Sequence, residues 1–191
     1  MKRSNQGGLS NQREVEFVLR LLCALRTLVP GLRNVTIGVI AFYNNQVSLI
    51  NDRLQGYHRL MNWMKKGNIT IQVSTVDGFQ GSEKDIIILS CVRSRWHGRK
   101  NIRNEIGFLK DFRRVNVALT RAKYSLWILG NCDVLSCDEL WNSLIDDARS
   151  RQLLTNTCNL DIFMAQSNRY MHDQHHHKEQ SRWSPSKKHR K

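Results

Sequence analysis

Long apolar runs are missing from the sequence. Within its 191 residues, no stretch approaches the roughly 18–20 consecutive apolar residues that a membrane-spanning helix needs. The first residues also lack the apolar run of a signal peptide. We therefore expect neither a membrane partner nor export.

Acidic residues are scarce relative to basic ones. Lys and Arg number 30 against 16 Asp and Glu, so the net charge is +14 and the isoelectric point is about 10.1. A charge this far from zero favours a polyanionic partner, with nucleic acid as the first candidate. The alternative is a basic domain with a charged tail and no such partner.

Cysteine is present in a pattern that does not suit a disulfide framework. The five cysteines are odd in number and irregularly spaced, and Cys23 and Cys91 lie inside apolar runs. This pattern predicts reduced thiols in an intracellular protein. No metal site is expected, because the histidines at 175–177 lack partner ligands in a fixed geometry.

Apolar segments of strand length alternate with segments of helical periodicity. Strands are expected at residues 35–42, 69–76, 85–92 and 124–130. Helices are expected from Asn11 to before Pro30 and over residues 44–64, 111–123 and 138–149. This alternation predicts an α/β fold in which helices flank a parallel sheet.

The chain divides into three parts by composition. Residues 11–154 carry the α/β pattern, and residues 1–10 are expected to form a flexible lead-in. Residues 155–191 are rich in His, Lys and Arg and have few apolar residues to bury, so we expect this basic tail to be disordered. Its end, residues 187–191, fits a nuclear-localisation or nucleic-acid patch and equally a plain solvated tail.

A polar loop follows the second predicted strand. Ligands bind at the carboxyl ends of strands in open parallel sheets, and glycines there permit positive φ and exposed N–H groups for phosphate. Glu83 can accept from a ribose hydroxyl. The alternative is an ordinary tight turn with polar decoration. The residues with these capacities are Thr75, Asp77, Gly78, Gln80, Gly81 and Glu83.

A basic helix is expected at residues 111–123. Arg114 and Arg121 are seven residues apart and would share one of its faces about two turns apart. Arginine suits contact with phosphates bound outside the domain, because its planar guanidinium can donate two hydrogen bonds to one phosphate and stays protonated. Salt bridges on a solvated helix are the alternative interpretation.

Three segments in register resemble the superfamily 1B helicases. Residues 73–94 are similar to motif V, residues 113–131 to motif VI, and residues 37–47 to motif IV with Tyr43 and Gln46 in its Tyr-x-x-Gln arrangement. The resemblance covers residues 11–154 and is closest to the group of senataxin and the nonsense-mediated-decay helicase. It implies a RecA-like P-loop NTPase fold, the second of two such domains, and movement in the 5′→3′ direction.

The resemblance also implies roles for individual residues. Arg121 matches the arginine finger that contacts the γ-phosphate of ATP. Gln80, Gly81 and Glu83 match positions near the ribose and phosphates. The positions implied to contact or support nucleic acid are Tyr43, Asn44, Thr75, Val76 and Asp77.

Half of an ATP site is absent from the sequence. It contains no Gly-x-x-x-x-Gly-Lys-Ser/Thr loop and no Asp-Glu pair after a strand to hold Mg²⁺. We therefore expect ATP with Mg²⁺ to be shared with an N-terminal RecA-like domain outside this chain, and the isolated chain to be inactive. The alternative is a non-catalytic nucleic-acid-binding or interaction module derived from a helicase.

A basic loop precedes the predicted helix at residues 111–123. We expect Arg95, Arg99 and Arg103 to contact the phosphates of single-stranded RNA or DNA, with affinity that falls as salt rises. Trp96 among them would stack on a base or pack on the domain. Nuclear localisation is expected, with the cytoplasm as a second location.

Overall fold

A four-stranded parallel sheet organises the part of the chain that the computed structural model describes, which is residues 2–3, 8–29, 31–94 and 106–156. A separate antiparallel pair joins β1 and β2. The main sheet has the order β4-β3-β5-β6 with parallel pairing throughout, which confirms the predicted fold class. The strands are β1 Lys2–Arg3, β2 Leu9–Ser10, β3 Thr36–Ala41, β4 Thr70–Thr75, β5 Lys84–Ser90 and β6 Ala122–Leu129.

Helices cover both faces of this sheet. Three on one face are α1 Gln12–Leu28, α2 Asn44–Gln55 and α3 His58–Gly67. Three on the other are α4 Phe112–Leu119, α5 Cys132–Leu135 and α6 Glu139–Ser150. Short 3-10 helices at Asp77–Phe79 and Gly107–Lys110 join the second group.

The core has two layers because the central strands are apolar on both faces. Ile37 and Ile88 face the α1–α3 layer, whereas Ile40 and Leu89 face the α4–α6 layer. All four side chains are fully buried. Each contributes about 1.5–3 kcal/mol through burial, and this explains why the strands read as continuous apolar runs.

The fold begins earlier than the sequence predicted. Leu9 is buried and pairs through β2, so the end of the expected lead-in at residues 1–10 belongs to the ordered domain. The tail prediction falls on residues 155–191, of which all beyond 156 lie outside the described residues.

Two predicted helices end sooner than expected. The helix expected at 44–64 is two helices, because the chain leaves helical geometry at Tyr57 after Gly56, a poor helix former. The helix expected at 111–123 ends at Leu119, because Arg121 already pairs with β5 through its carbonyl oxygen. Arg114 and Arg121 therefore do not share a helical face, and this prediction was wrong.

Candidate functional site

Arg121 lies between the end of α4 and the start of β6. Its guanidinium donates from Nε to the Val117 carbonyl oxygen at 3.1 Å and from Nη1 to the Ser82 carbonyl oxygen at 3.4 Å. Its Nη2 donates to the Thr120 hydroxyl at 3.0 Å. These bonds fix the group in position and use three of the five N–H donors of an arginine.

The loop before β5 brings Gly81 and Glu83 to Arg121. Ser82 accepts from the guanidinium, and the Lys84 N–H donates to the Arg121 carbonyl oxygen at 3.0 Å. Gly81 has a φ of +74°, a left-handed conformation that strains an L side chain. Glu83 is exposed. The loop therefore joins an exposed carboxylate, a turn that requires glycine and a fixed guanidinium.

This loop at residues 80–83 lies at the amino edge of the sheet. β4 ends with Thr75 at the carboxyl edge and β5 begins with Lys84 at the amino edge, so the connection crosses one face of the sheet. Phe79 anchors the crossing, since its side chain is fully buried in space left by Gly38. The prediction of the carboxyl edge was wrong for the loop, because the chain returns to begin another parallel strand.

A cavity of about 210 Å³ lies at the carboxyl edge instead. It is lined by three exposed or half-buried residues of the predicted nucleic-acid set, Asn44, Thr75 and Asp77. Val76 also lines it, but its side chain is only 2% exposed. The remaining lining residues are Phe42, Phe108 and Arg114.

Tyr43 is buried within the domain and not exposed on its surface. Its side chain is buried, and its hydroxyl accepts from Arg93 Nε at 2.6 Å. The Arg93 guanidinium also lies 5.3 Å from the centre of the Tyr43 ring, which in turn packs against Phe108 at 5.5 Å. The structure therefore does not present Tyr43 to a ligand, contrary to the predicted contact with nucleic acid.

Arg114 is paired within the chain. Its Nε and Nη2 donate to the two carboxylate oxygens of Asp77 at 3.2 and 3.1 Å. Its guanidinium also lies 5.3 Å from the centre of the Phe108 ring. Two of the predicted site residues thus form a salt bridge at the cavity, where Asp77 orients Arg114 and neutralises part of its charge.

A buried polar network behind the cavity was not predicted. Gln46 accepts from the Asn11 N–H at 2.8 Å and donates to Ser90 Oγ at 3.0 Å. Glu14 accepts from Ser90 Oγ at 2.6 Å and from the Val92 N–H at 2.8 Å. The sequence identified Gln46 as part of motif IV, and nothing in that pattern shows that it joins a network with Glu14.

Burial governs the charge state of Glu14. Removal from water raises its pKa to about 7, against the lowering effect of bonds from Ser90, Val92 and Asn11. Val92 itself has a φ of +68°, which is strained for a β-branched residue. The carboxyl of Glu14 therefore holds this strained residue, which follows the end of β5, in place.

Several predicted residues lie outside the described part of the chain. These are Arg95, Arg99 and Arg103 of the basic loop, with Trp96, and the histidines at 175–177. Among the described residues, no group of three His, Cys, Asp or Glu side chains comes together as a metal ion would require. No helix within the described ranges is long and apolar enough to cross a membrane.

Comparison with known proteins identifies the family of the chain. A family profile described as an AAA domain matches residues 1–133. Helicase sen1 of Schizosaccharomyces pombe is 44% identical over 156 residues, which are 80% of this chain and 8% of that protein. Probable helicase senataxin of Homo sapiens is 34% identical over 157 residues, which are 82% of this chain and 5% of that protein.

A third relative is a regulator of nonsense transcripts and not a senataxin-type helicase. Regulator of nonsense transcripts 1 of Dictyostelium discoideum is 49% identical over 118 residues, which are 62% of this chain and 8% of that protein. The chain belongs to the superfamily 1B helicases, in the senataxin and nonsense-mediated-decay group. It spans 5–8% of the length of these three helicases.

The amino-edge residues of this helicase-family domain can bond an anion and hydroxyl groups. Arg121 retains two N–H donors beyond its three internal bonds, and a guanidinium can bond phosphate oxygens in pairs. Gly81 is exposed with open space around it, so a phosphate or ribose can approach its backbone. Gln80 and Glu83 are exposed beside it and can bond hydroxyl groups.

Proposed function

We propose that this chain is the C-terminal RecA-like motor domain of a two-domain, ATP-dependent 5′→3′ RNA/DNA helicase. The observation that carries the proposal is the convergence of Arg121 with Gly81 and Glu83 at one sheet edge. A cavity lined by Asn44, Thr75 and others occupies the opposite edge. A motor needs this separation, because nucleotide and strand must occupy different surfaces of the same rigid sheet.

At the amino edge, we assign Arg121 as the arginine finger toward the γ-phosphate of ATP. Bonds from its guanidinium to the Val117 and Ser82 carbonyl oxygens hold it before any ligand binds, so little reorganisation is needed. Gly81, Glu83 and Gln80 face the ribose and phosphates. Bound Mg²⁺ would neutralise phosphate charge, and its protein ligands would belong to the N-terminal RecA-like domain of the full enzyme.

At the carboxyl edge, we assign the cavity to the backbone of single-stranded RNA or DNA. Asn44 and Thr75 offer neutral hydrogen-bonding groups, and the Asp77–Arg114 pair offers a guanidinium in a fixed orientation. Val76 takes part through its backbone, since its side chain is buried. The basic tail favours a nuclear location for the full enzyme, with the cytoplasm as a second location.

The test is to supply the N-terminal RecA-like domain of a relative by fusion and to measure nucleic-acid-stimulated ATP hydrolysis. Replacing Arg121 by Ala should lower kcat about 10³-fold or more, the range known for arginine fingers. Replacing Arg113, an exposed arginine on α4, by Ala is the matched control and should leave kcat near the parent value.

Two results would refute the proposal. One is a fusion that hydrolyses ATP equally well with Arg121→Ala. The other is ATP hydrolysis by the purified 191-residue chain alone, since the sequence lacks the phosphate-binding loop and metal-ligand pair.

A further inference from the structure

A second cavity, of about 400 Å³, lies at the amino edge of the sheet on the α1–α3 face. It sits where the chain enters β3 and where α3 ends before β4, two strands along from Arg121. The two segments beside it are tied together, since the Asn34 N–H donates to the Gly67 carbonyl oxygen at 2.8 Å and Asn68 Nδ2 donates to Asn34 Oδ1 at 2.9 Å.

The lining of this cavity is strongly cationic. Arg26, Arg33, Arg59 and Lys66 contribute four positive charges, and the lining includes no acidic side chain. Within the described residues, none of the four takes part in an ion pair. Four unpaired cations around one concave surface repel each other and attract an anion.

Favourable interaction with a helix dipole explains the positions of only two of these four cations. Arg26 and Lys66 lie in the last turns of α1 and α3, where a cation complements the helix C-terminus. Arg59 lies in the first turn of α3, where the dipole disfavours a cation, and Arg33 lies in a connecting segment. The position of these two arginines needs another explanation.

Two hydrogen-bond donors in the lining lack acceptors. Arg26 Nε and Trp63 Nε1 are both buried, and neither has a partner among the described residues. A buried donor without an acceptor costs about 1–3 kcal/mol, so native proteins rarely leave one unmet. Both side chains line the cationic cavity, and because each nitrogen is itself buried, a ligand reaches it only after a small movement of the lining. An oxygen-rich anion bound there would then give the two donors an acceptor and be neutralised by the four cations.

We propose that this cavity binds a phosphate group, carried by a nucleic-acid strand or by a free phosphate compound. Arg26 and Trp63 donate to its oxygens, and Arg33, Arg59 and Lys66 surround its charge. The proposal does not depend on the ATP and strand sites described above, because it shares no residue with them.

The indole N–H of Trp63 reports on the site directly. Its ¹H–¹⁵N resonance is identified with a Trp63→Phe variant of the full chain. Inorganic phosphate, pyrophosphate and a single-stranded thymidine 12-mer are titrated separately, with chloride adjusted to constant ionic strength. We expect a saturable shift. Saturation by phosphate or pyrophosphate alone indicates a free phosphate compound, whereas a stronger response to the 12-mer indicates a strand.

A pair of double variants with equal charge loss provides the control. Arg59→Gln with Lys66→Gln removes two lining cations, whereas Arg53→Gln with Lys65→Gln removes two exposed cations outside the cavity. The first pair should weaken binding at least about tenfold, since it removes two of the four charges that attract the phosphate. The second pair should leave the dissociation constant unchanged.

Three outcomes would overturn the proposal. One is a shift that does not saturate with any of the three ligands, as expected if only water meets the two donors. Another is an equal loss of binding in both double variants, which would indicate general charge attraction. The third is an equal shift with potassium glutamate, which would show that the site does not select phosphate.

Discussion

Glu14 shows at the residue scale how burial sets a charge. Its pKa is raised to about 7 in the folded chain against an ordinary 4.5, so the fold favours the protonated form. Protonation in the folded state stabilises the fold below pH 4.5, and this contribution is lost as pH rises through about 7.

We predict the consequence for unfolding by urea. Between pH 5 and pH 8, the unfolding free energy of the natural chain should fall on the order of 2 kcal/mol further than that of Glu14→Gln, which cannot ionise. Glu16→Gln, at an exposed position on the same helix, is the control and should follow the natural chain. Parallel pH profiles of the natural chain and Glu14→Gln would contradict the raised pKa.

Gln46 shows why a motif residue can be identified from sequence while its role is not. Its place in a Tyr-x-x-Gln pattern was visible, and the resemblance implied a ligand contact for Tyr43. In the structure its amide bonds Asn11 and Ser90, and Tyr43 bonds Arg93. These partners lie 35 to 50 residues away, so only the folded chain reveals that both side chains are committed internally.

At the element scale, the loop before β5 depends on one backbone conformation. Gly81 has a φ of +74° and open space around it, so a side chain there would meet strain rather than a collision. Gly31 is exposed, also has open space and does not have positive φ. The two glycines therefore separate backbone strain from the general effect of adding a side chain.

The corresponding prediction compares three variants by urea unfolding. Gly81→Val should lower the unfolding free energy by about 1–2 kcal/mol, because an L residue resists the left-handed region. Gly81→Asn should lose less, since Asn adopts that region more readily. Gly31→Val should change little, and an equal loss at both glycines would contradict the role of positive φ.

Strands were predictable from sequence because continuous apolar runs stand out in a polar chain and are typical of strands buried on both faces. The expected strands at 35–42, 69–76, 85–92 and 124–130 each overlap an observed strand, with ends that differ by two residues or fewer. The edge at which a loop emerges was not predictable, because residues 76–83 contain no helix whose length would reveal that they cross the sheet.

At the scale of the whole molecule, the two candidate surfaces lie at opposite sheet edges. The sequence identified most residues of both, namely Arg121, Gly81 and Glu83 on one side and Asn44 and Thr75 on the other. It placed the whole polar loop after the second strand at the carboxyl edge, because ligands of open parallel sheets bind where strands end. The cationic cavity by Trp63 was missed, since its residues come from three separated segments.

The net charge of +14 gives a prediction about binding as a whole. If Arg95, Arg99 and Arg103 contact phosphates, changing all three to Gln should reduce the salt dependence of single-strand binding. The slope of log affinity against log salt should become shallower by about 2, because each of the three phosphate contacts contributes about 0.7. Fluorescence anisotropy over a salt series measures this slope.

A triple variant with the same loss of charge controls that experiment. Arg13, Arg53 and Lys65 are exposed and lie outside both the carboxyl-edge cavity and the basic loop. Changing them to Gln should leave the slope nearly unchanged. Equal slopes in the two triple variants would show that binding follows total charge and not the basic loop.

Helix α4 gives the molecule a lever between its two edges. Arg114 in its first turn holds Asp77 at the cavity, and Arg121 follows its last turn. Eight residues make a rod about 12 Å long, so a tilt of roughly 5° at one end displaces the other by about 1 Å. Because the Arg121 guanidinium bonds the Val117 carbonyl oxygen of this helix and the Ser82 carbonyl oxygen of the loop, a displacement of that size would lengthen one of these two bonds.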